Sequence, residues 1–270
     1  MKRVAALVVV VLALIAASSM AGSRTLVAAH RGGAALAPEN SLAAFRNALA
    51  LGADIVEFDM HLTRDGEVVV IHDPTLDRTT TMTGAVRDHT LVELAAAKLK
   101  NRDGTTTSEQ VPRFSEVLDL LRGGSAELLP EIKIGADRQP YPGIEQKVIE
   151  LLRARDLLPR VTIQAFQPET IQRLREIAPG VRTMYLVSRS RAKGERAIDA
   201  VRWAREAGST DLGIDQRLVD ATLVAAARAA NIRLSVWTVN EEPDIRRMLA
   251  LGVDVIISDR PDLAMRLRSR

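Results

Sequence analysis

Residues 55–73 read IVEFDMHLTRDGEVVVIHD, and this stretch decides the fold. Two runs, Ile55–Asp59 and Val68–His72, predict β-strands, and Asp65-Gly66 between them is typical of a tight hairpin turn. Parallel neighbours need a crossover of about a dozen residues or more, so a connection this short makes the second strand antiparallel to the first. The second strand is therefore predicted to be the returning arm of a hairpin.

Outward from this hairpin, strands alternate with helices. Seven further runs rich in apolar and β-branched residues predict strands: Thr25–His30, Leu128–Lys133, Val161–Phe166, Arg182–Val187, Asp211–Asp215, Arg233–Val239 and Asp254–Ser258. Segments with apolar residues at i, i+3 and i+4 predict helices: Ser41–Leu51, Phe114–Leu121, Ile144–Arg155, Glu169–Ile177, Ala221–Ala230 and Pro243–Leu251. Without the hairpin arm, eight strands remain in βα alternation. This pattern predicts an α/β fold, a TIM (β/α)8 barrel, with a doubly wound open sheet as the alternative.

One segment, at about residues 75–111, interrupts the alternation. It is rich in Thr, Arg, Asp and Gly, and its apolar residues predict one short helix at Leu91–Leu99. It lies between the second barrel strand and the helix that begins at Phe114. We therefore expect a small inserted subdomain over the carboxyl ends of the strands.

The N-terminus differs from the rest of the chain. Lys2 and Arg3 precede the apolar run Val4–Ala17, and Ser19 and Ala21 fit the small-residue cleavage rule. The run is shorter than the roughly 20 residues of a membrane span. We predict a signal peptide at residues 1–21 and a barrel domain at 22–270, exported to the periplasm or secreted, without a stable membrane span. An uncleaved N-terminal anchor is the alternative.

Composition excludes several classes of protein. The chain has 270 residues, with 37 Lys+Arg against 34 Asp+Glu, and this small excess argues against nucleic-acid binding. It has no cysteine, which excludes disulfides, thiolate metal sites and a cysteine nucleophile. Composition does not indicate an oligomeric state.

Polar residues recur where the predicted strands end, which is the catalytic face of a TIM barrel. Glu57 and Asp59 point to one side of their strand, and Glu131 ends the next barrel strand. Buried charges are costly unless they are paired or bound to metal. Three carboxylates without cysteine form a hard oxygen site, so we predict one divalent cation, Mg²⁺ or Ca²⁺.

Basic side chains and imidazoles fall at the same strand ends. Arg31 and Lys133 indicate an anionic substrate, since both cations bind phosphate oxygens. His30 and His72 can act as acid and base near neutral pH. Together with a divalent ion, these residues predict phosphoester cleavage. His61 and His89 have no such support and are predicted to be structural or solvent-facing.

Further motifs lie along nearly the whole mature chain. They are His30-Arg31-Gly32, Pro38-Glu39-Asn40-Ser41, Gly52 to Asp59, Thr63-Arg64-Asp65-Gly66, Val69 to Asp73, Asp77-Arg78-Thr79-Thr80, Glu131-Ile132-Lys133, Gln164-Ala165-Phe166, Trp237-Thr238-Val239-Asn240 and Gly252 to Pro261. This set resembles the signature of the glycerophosphodiester phosphodiesterases. The resemblance implies a TIM barrel that hydrolyses small glycerophosphodiesters to glycerol 3-phosphate and an alcohol such as choline or ethanolamine.

The resemblance also implies roles for individual residues. His30 and His72 would be the acid/base pair, without indication of which acts as acid in which step. The metal would be bound by Glu57, Asp59 and Glu131, and the phosphate by Arg31 and Lys133. Further substrate contacts would come from Gln164, Phe166 and Trp237. The resemblance further implies that the glycerol 2-hydroxyl attacks phosphorus and that water opens the resulting cyclic phosphate. Ala165 departs from the Ser that is common in the family before this Phe, which bears on substrate preference.

Two other functions fit the same fold. One is a phosphodiesterase for lysophospholipids or phosphoinositides, which needs more apolar surface than the segment 75–111 offers. The other is a non-catalytic phosphodiester-binding protein of the envelope, which is expected to have lost at least one histidine or carboxylate. None of these residues is lost.

Overall fold

The structure, a computed structural model, describes residues 24–269, so the predicted leader at 1–21 lies outside the described residues. Eight parallel strands form a closed barrel, as predicted, because the first strand pairs with both the second and the last. In chain order the strands of the described part are β1 Leu26–Ala29, β2 Ile55–Leu62, β3 Val68–Val70, β4 Lys98–Lys100, β5 Thr106–Gln110, β6 Glu127–Ile132, β7 Thr162–Ala165, β8 Arg182–Val187, β9 Asp211–Asp215, β10 Arg233–Trp237 and β11 Val255–Ser258. The barrel consists of β1, β2 and β6 to β11.

The hairpin prediction is confirmed. β3 pairs antiparallel with the end of β2, and Met60 lies opposite Val70. β2 continues beyond Asp59 to Leu62. Its last three residues, Met60 to Leu62, pair with β3 and form the hairpin. This extension positions the segment that follows β3 over the barrel mouth.

Helices surround the barrel and bury their apolar faces against it. In the described residues they are α1 Leu42–Leu51, α2 Leu91–Leu94, α3 Phe114–Arg122, α4 Ile144–Arg153, α5 Pro168–Ile177, α6 Asp199–Ala207, α7 Ala221–Ala229, α8 Glu242–Leu251 and α9 Pro261–Arg268. Neither α6 nor α9 was predicted from the sequence. In α6 the buried residues do follow the helical period, so the sequence contains a signal for this helix: Ala200, Val201, Trp203, Ala204 and Ala207 are buried.

The inserted segment differs from the prediction in one respect. The helix expected at Leu91–Leu99 is wrong beyond Leu94, where α2 ends, and Lys98–Lys100 forms strand β4 against β5. The cause is a period of two: Leu99 is buried while Lys98 and Lys100 on either side are half-exposed. The insert has its own small core, which contains Leu76, Val86 and Leu94 among others.

The barrel interior is filled by medium-sized apolar side chains. Its inner cluster consists of Ala28, Ile55, Leu129, Met184, Leu186, Val255 and Ile257, with Phe166 and Trp237 packed on it. The barrel is thus a packed core with polar residues at its two ends. Within residues 24–269, no helix combines the length and apolar character needed to cross a bilayer.

Candidate active site

One cavity of about 120 Å³ lies at the carboxyl end of the barrel strands. The structure brings all ten predicted site residues together on its wall: His30, Arg31, Glu57, Asp59, His72, Glu131, Lys133, Gln164, Phe166 and Trp237. Leu186, Thr238 and Ile257 complete the lining. Residues separated by more than two hundred positions in the chain, such as His30 and Trp237, therefore share one site.

Three carboxylates form the floor of the cavity. Glu57 and Asp59 lie on the inner face of β2, and Glu131 on β6 is directly opposite Asp59 in the strand register. All three are buried, and one oxygen of each lies within 4.8 Å of the others. Burial raises the pKa of Glu57 and that of Glu131, whereas Lys133 and Arg31 overcome the effect of burial on Asp59 and hold its pKa well below the ordinary value.

Two cations contact these carboxylates. The Lys133 ammonium is 2.9 Å from Oε1 of Glu131 and 3.5 Å from Oδ1 of Asp59. The Arg31 Nε atom is 3.5 Å from Oδ2 of Asp59, and its backbone N–H donates to Glu57 at 2.7 Å. Three carboxylates against two cations leave one excess negative charge, and Oδ1 of Asp59 is buried without a hydrogen bond. The donor set therefore fits a hard divalent cation.

A tight turn after β1 places His30 and Arg31. Arg31 has φ of 52°, in the left-handed region, and Gly32 follows with φ of 80°. Gly32 also packs against α1, where an added Cβ would lie 2.7 Å from the Cβ of Ala44. This close approach explains why glycine follows the His-Arg pair.

The two imidazoles that line the cavity, those of His30 and His72, each contact a carboxylate through Nδ1. His30 Nδ1 lies 2.5 Å from Asp259, and His72 Nδ1 lies 2.6 Å from Asp73. Asn240 in turn donates to Asp259 at 2.8 Å. These contacts orient each ring; Nε2 of His30 is 4.0 Å from Glu57.

No role was predicted from the sequence for Asp259, Asn240 or Asp73. Burial alone would raise the pKa of Asp259, but the hydrogen bonds from His30 and Asn240 and the charge of His30 lower it. The hydrogen bond from His72 lowers the pKa of Asp73. A useful signal existed, because Asp259 directly follows the last barrel strand and Asp73 directly follows His72.

The rim of the site contains a second charged network. Arg78, from the insert, donates to Glu39 at 2.7 Å and to Asp73 at 2.6 Å. Glu39 also accepts from Arg31 at 2.9 Å. The insert is thereby tied to Arg31, through Glu39, and to Asp73, the carboxylate partner of His72.

Aromatic side chains form the opposite wall. Phe166 and Trp237 meet edge to face, with ring centroids 5.8 Å apart. The Trp237 indole N–H is buried and has no partner in the described structure. Gln164 lines the cavity, and its amide donates to Oε1 of Glu57 at 2.8 Å, so it orients a carboxylate as well as facing the cavity.

The two remaining histidines have different environments. His61 is fully buried, and burial lowers its pKa to about 4, so its ring is neutral. His89 in the insert is partly exposed, and its Nε2 lies 3.2 Å from the carbonyl oxygen of Thr83. Neither residue lines the cavity.

Comparison with known proteins places this arrangement among phosphodiesterases. A family model described as the glycerophosphoryl diester phosphodiesterase family matches residues 30–263. Glycerophosphodiester phosphodiesterase from Caldanaerobacter subterraneus subsp. tengcongensis is 34% identical over 245 residues, which cover 90% of this chain and 98% of that protein.

Solved structures give the same result. A crystal structure from Agrobacterium tumefaciens aligns with a TM-score of 0.85 at 32% identity and covers 92% of this chain and 98% of that one. A phosphodiesterase from Oleispira antarctica, solved with the product sn-glycerol-3-phosphate, aligns with a TM-score of 0.77 at 25% identity over 91% of this chain and 97% of that one.

Proposed function

The chain belongs to the glycerophosphoryl diester phosphodiesterase family, and on that premise we propose how this member performs the family's hydrolysis. The enzyme cleaves glycerophosphodiesters to glycerol 3-phosphate and an alcohol, with a divalent cation at Glu57, Asp59 and Glu131 and with His30 and His72 as acid and base. One observation carries the proposal. Two imidazoles, each oriented by a carboxylate, share a cavity with three carboxylates whose negative charge exceeds that of their two cationic partners by one.

The buried carboxylates would hold the ion. A bound Mg²⁺ or Ca²⁺ supplies positive charge to the phosphate oxygens as negative charge develops on them. Arg31 and Lys133 lie beside the same carboxylates and bind the other phosphate oxygens. Gln164 restrains Glu57 through its amide, so the ligand set is held in place before substrate arrives.

The two histidines divide the proton transfers. One imidazole removes the proton from the glycerol 2-hydroxyl as that oxygen attacks phosphorus, and the other protonates the departing alcohol as its P–O bond breaks. In the second stage their roles reverse: water is deprotonated, attacks the cyclic phosphate, and the 2-hydroxyl leaves with a proton. Asp259 and Asp73 stabilise whichever ring carries the positive charge.

The glycerol moiety is expected to lie against the aromatic wall. Phe166 and Trp237 offer apolar contact to its carbons, and the unpartnered indole N–H offers a donor to a hydroxyl oxygen. The cavity of about 120 Å³ has room for a small polyol. The small-molecule substrate predicted from the sequence is therefore retained.

The first experiment measures glycerol 3-phosphate release from glycerophosphocholine by residues 22–270. The protein is treated with EDTA, and Mg²⁺ or Ca²⁺ is then restored in parallel samples. Release that depends on the ion supports the reaction and the carboxylate site. Release that persists in EDTA contradicts the metal role, and no release by a folded sample with either ion contradicts the substrate. Lysophosphatidylcholine in a parallel reaction tests the larger substrate class.

We also propose that residues 1–21 direct export and are removed. The support is the cationic start, the apolar run and the small residues near Ala21. Mass spectrometry of the protein from its native host tests this: an N-terminus near Gly22 in the periplasm or medium is expected. Full-length protein in the membrane fraction would indicate an uncleaved anchor instead.

A further inference from the structure

His61 and Tyr141 form a buried contact behind His72 that the proposed reaction does not yet use. His61 lies on β2, two residues beyond Asp59 and on the same face of the strand. Its Nε2 atom is 3.0 Å from the backbone carbonyl oxygen of His72, and its Nδ1 atom is 2.9 Å from the hydroxyl of Tyr141. Both His61 and Tyr141 are buried.

The hydrogen-bond partners of His61 define which of its two ring nitrogens is protonated. A carbonyl oxygen can only accept, so Nε2 of His61 is the protonated nitrogen and Nδ1 is the acceptor. The Tyr141 hydroxyl therefore donates to Nδ1, and burial supports this role because it raises the pKa of Tyr141 to about 12. The result is a directed chain of hydrogen bonds from Tyr141 through His61 to His72.

This series of hydrogen bonds ends at His72, where the backbone leaves the barrel sheet. The β2–β3 ladder ends at Val70, and the backbone then passes through His72 into the insert. The position of the His72 imidazole thus depends on how well the backbone is held just after the ladder. The carbonyl contact from His61 fixes that point to the rigid strand that also carries the carboxylates.

Packing around the Tyr141 ring supports the hydrogen bond between Tyr141 and His61. Tyr141 meets His61 edge to face, with ring centroids 5.6 Å apart. The guanidinium of Arg87, in the insert, lies 5.8 Å from the centroid of the Tyr141 ring and pairs with Asp137. Strand β2, the loop after β6 and the insert are therefore joined around one imidazole.

We propose that His61 and Tyr141 are positioning residues that fix the backbone of His72 for proton transfer. The inference rests on the proposed function, because it assigns them an effect only through His72. A displacement of about 1 Å at a reacting group can cost about 100-fold in rate. Loss of either hydrogen bond should therefore lower kcat and leave substrate binding by Arg31 and Lys133 intact.

The test compares His61→Gln and Tyr141→Phe with a matched control, His89→Gln. Tyr141→Phe keeps the ring packing and removes only the hydroxyl. We expect kcat for glycerophosphocholine to fall about 10- to 100-fold in His61→Gln and in Tyr141→Phe. KM and the apparent Kd for the divalent ion should stay within about twofold of wild type in both. His89 also contacts a carbonyl oxygen of the insert, and its variant should keep wild-type kcat.

A double-mutant cycle separates positioning from general destabilisation. In a His72→Ala background, Tyr141→Phe should lower kcat no further, since its effect passes through the missing ring. An additive loss there, or wild-type kcat in Tyr141→Phe, would overturn the proposal. If His61→Gln fails to fold, Tyr141→Phe carries the test alone. A folded wild-type enzyme without activity would instead overturn the proposed function, and the positioning role with it.

Discussion

The two ends of the barrel both contain buried carboxylates beside basic side chains, yet they differ in charge balance. At the amino-terminal end, the first residues of β6, β8, β9 and β10 are Glu127, Arg182, Asp211 and Arg233. Arg182 pairs with Asp211 at 2.9 Å, and Arg233 pairs with Glu127 at 2.9 Å. Two acids and two bases cancel there.

At the carboxyl end, the charges do not cancel. Among the described residues, the Lys and Arg side chains that pair with Glu57, Asp59 and Glu131 are Lys133 and Arg31. The indole N–H of Trp237 and Oδ1 of Asp59 are also buried without a hydrogen bond in the described residues. Within residues 24–269, Nη2 of Arg233 at the amino-terminal end is also buried without a hydrogen bond, so the excess of charge beside a cavity is what indicates a place for a ligand at the carboxyl end. The comparison predicts that substitutions at the carboxyl end lower activity and that substitutions at the amino-terminal end do not.

The largest effect is expected from Glu57→Gln. The amide keeps the shape of the side chain and removes one anionic ligand, so kcat should fall on the order of 1,000-fold. The free energy of unfolding without metal should be unchanged or higher, because burial of this carboxylate is unfavourable and raises its pKa. Steady-state kinetics and chemical unfolding measure the two quantities.

A second readout sharpens this prediction. Mg²⁺ or Ca²⁺ should raise the Tm of the wild type through binding to the native state and should raise that of Glu57→Gln less. Equal thermal shifts in both proteins would place the ion elsewhere.

Asp259→Asn should give the next largest loss, about 10- to 100-fold in kcat, because the partner that orients His30 becomes neutral. The substitution should also change the acid stability of the protein. The pKa of Asp259 is lowered in the fold, so its contribution to stability is present above the unfolded pKa of about 3.9 and is lost as the pH falls through the folded pKa.

Unfolding measured between pH 5 and pH 2.5 tests the second part. Wild type should lose more stability over this range than Asp259→Asn, so the difference between the two proteins should shrink at low pH. Parallel curves would show that the Asp259 contact with His30 does not favour the ionised carboxylate.

Arg31→Lys should have a smaller effect, with kcat/KM about tenfold lower through a higher KM and a lower kcat. The guanidinium contacts Asp59 and Glu39 and presents a planar set of donors that an ammonium cannot reproduce. Kinetics with glycerophosphocholine measure the effect, and an unchanged kcat/KM would remove Arg31 from phosphate binding.

Asp211→Asn at the other end of the barrel should leave kcat/KM within about twofold of wild type and change the free energy of unfolding by less than about 1 kcal/mol, because burial raises the pKa of Asp211 and offsets the gain from its pair with Arg182. The substitution breaks a balanced ion pair with Arg182 and touches no residue of the cavity. Chemical unfolding and kinetics test both parts. A large loss of activity with normal stability would contradict the division of roles between the two ends.

Local sequence patterns predicted most of the barrel and its site. Alternation and the Asp65-Gly66 turn identified the strands and the hairpin, because register within a hairpin depends on nearby residues. Strand ends located the cavity residues, since parallel strands bring their carboxyl ends to one edge.

Contacts between distant segments could not be predicted in the same way. Asp259 meets His30 across 229 positions, and Tyr141 meets His61 across 80. Neither pair leaves a periodic signal, because both depend on how whole βα units pack. In the insert, the short β4 was missed because a single alternating triplet resembles the end of an amphipathic helix.

Closure of the barrel has a consequence for synthesis of the protein. β1, which directly precedes His30, is the first barrel strand to be made, while β11, which precedes Asp259, is among the last segments made, and the two strands become neighbours only on closure. A nascent chain arrested before residue 254 holds the carboxylate trio and both imidazoles but lacks the carboxylate that orients His30. Full turnover therefore requires the ring of strands to be complete, so enzymatic activity reports closure of the barrel.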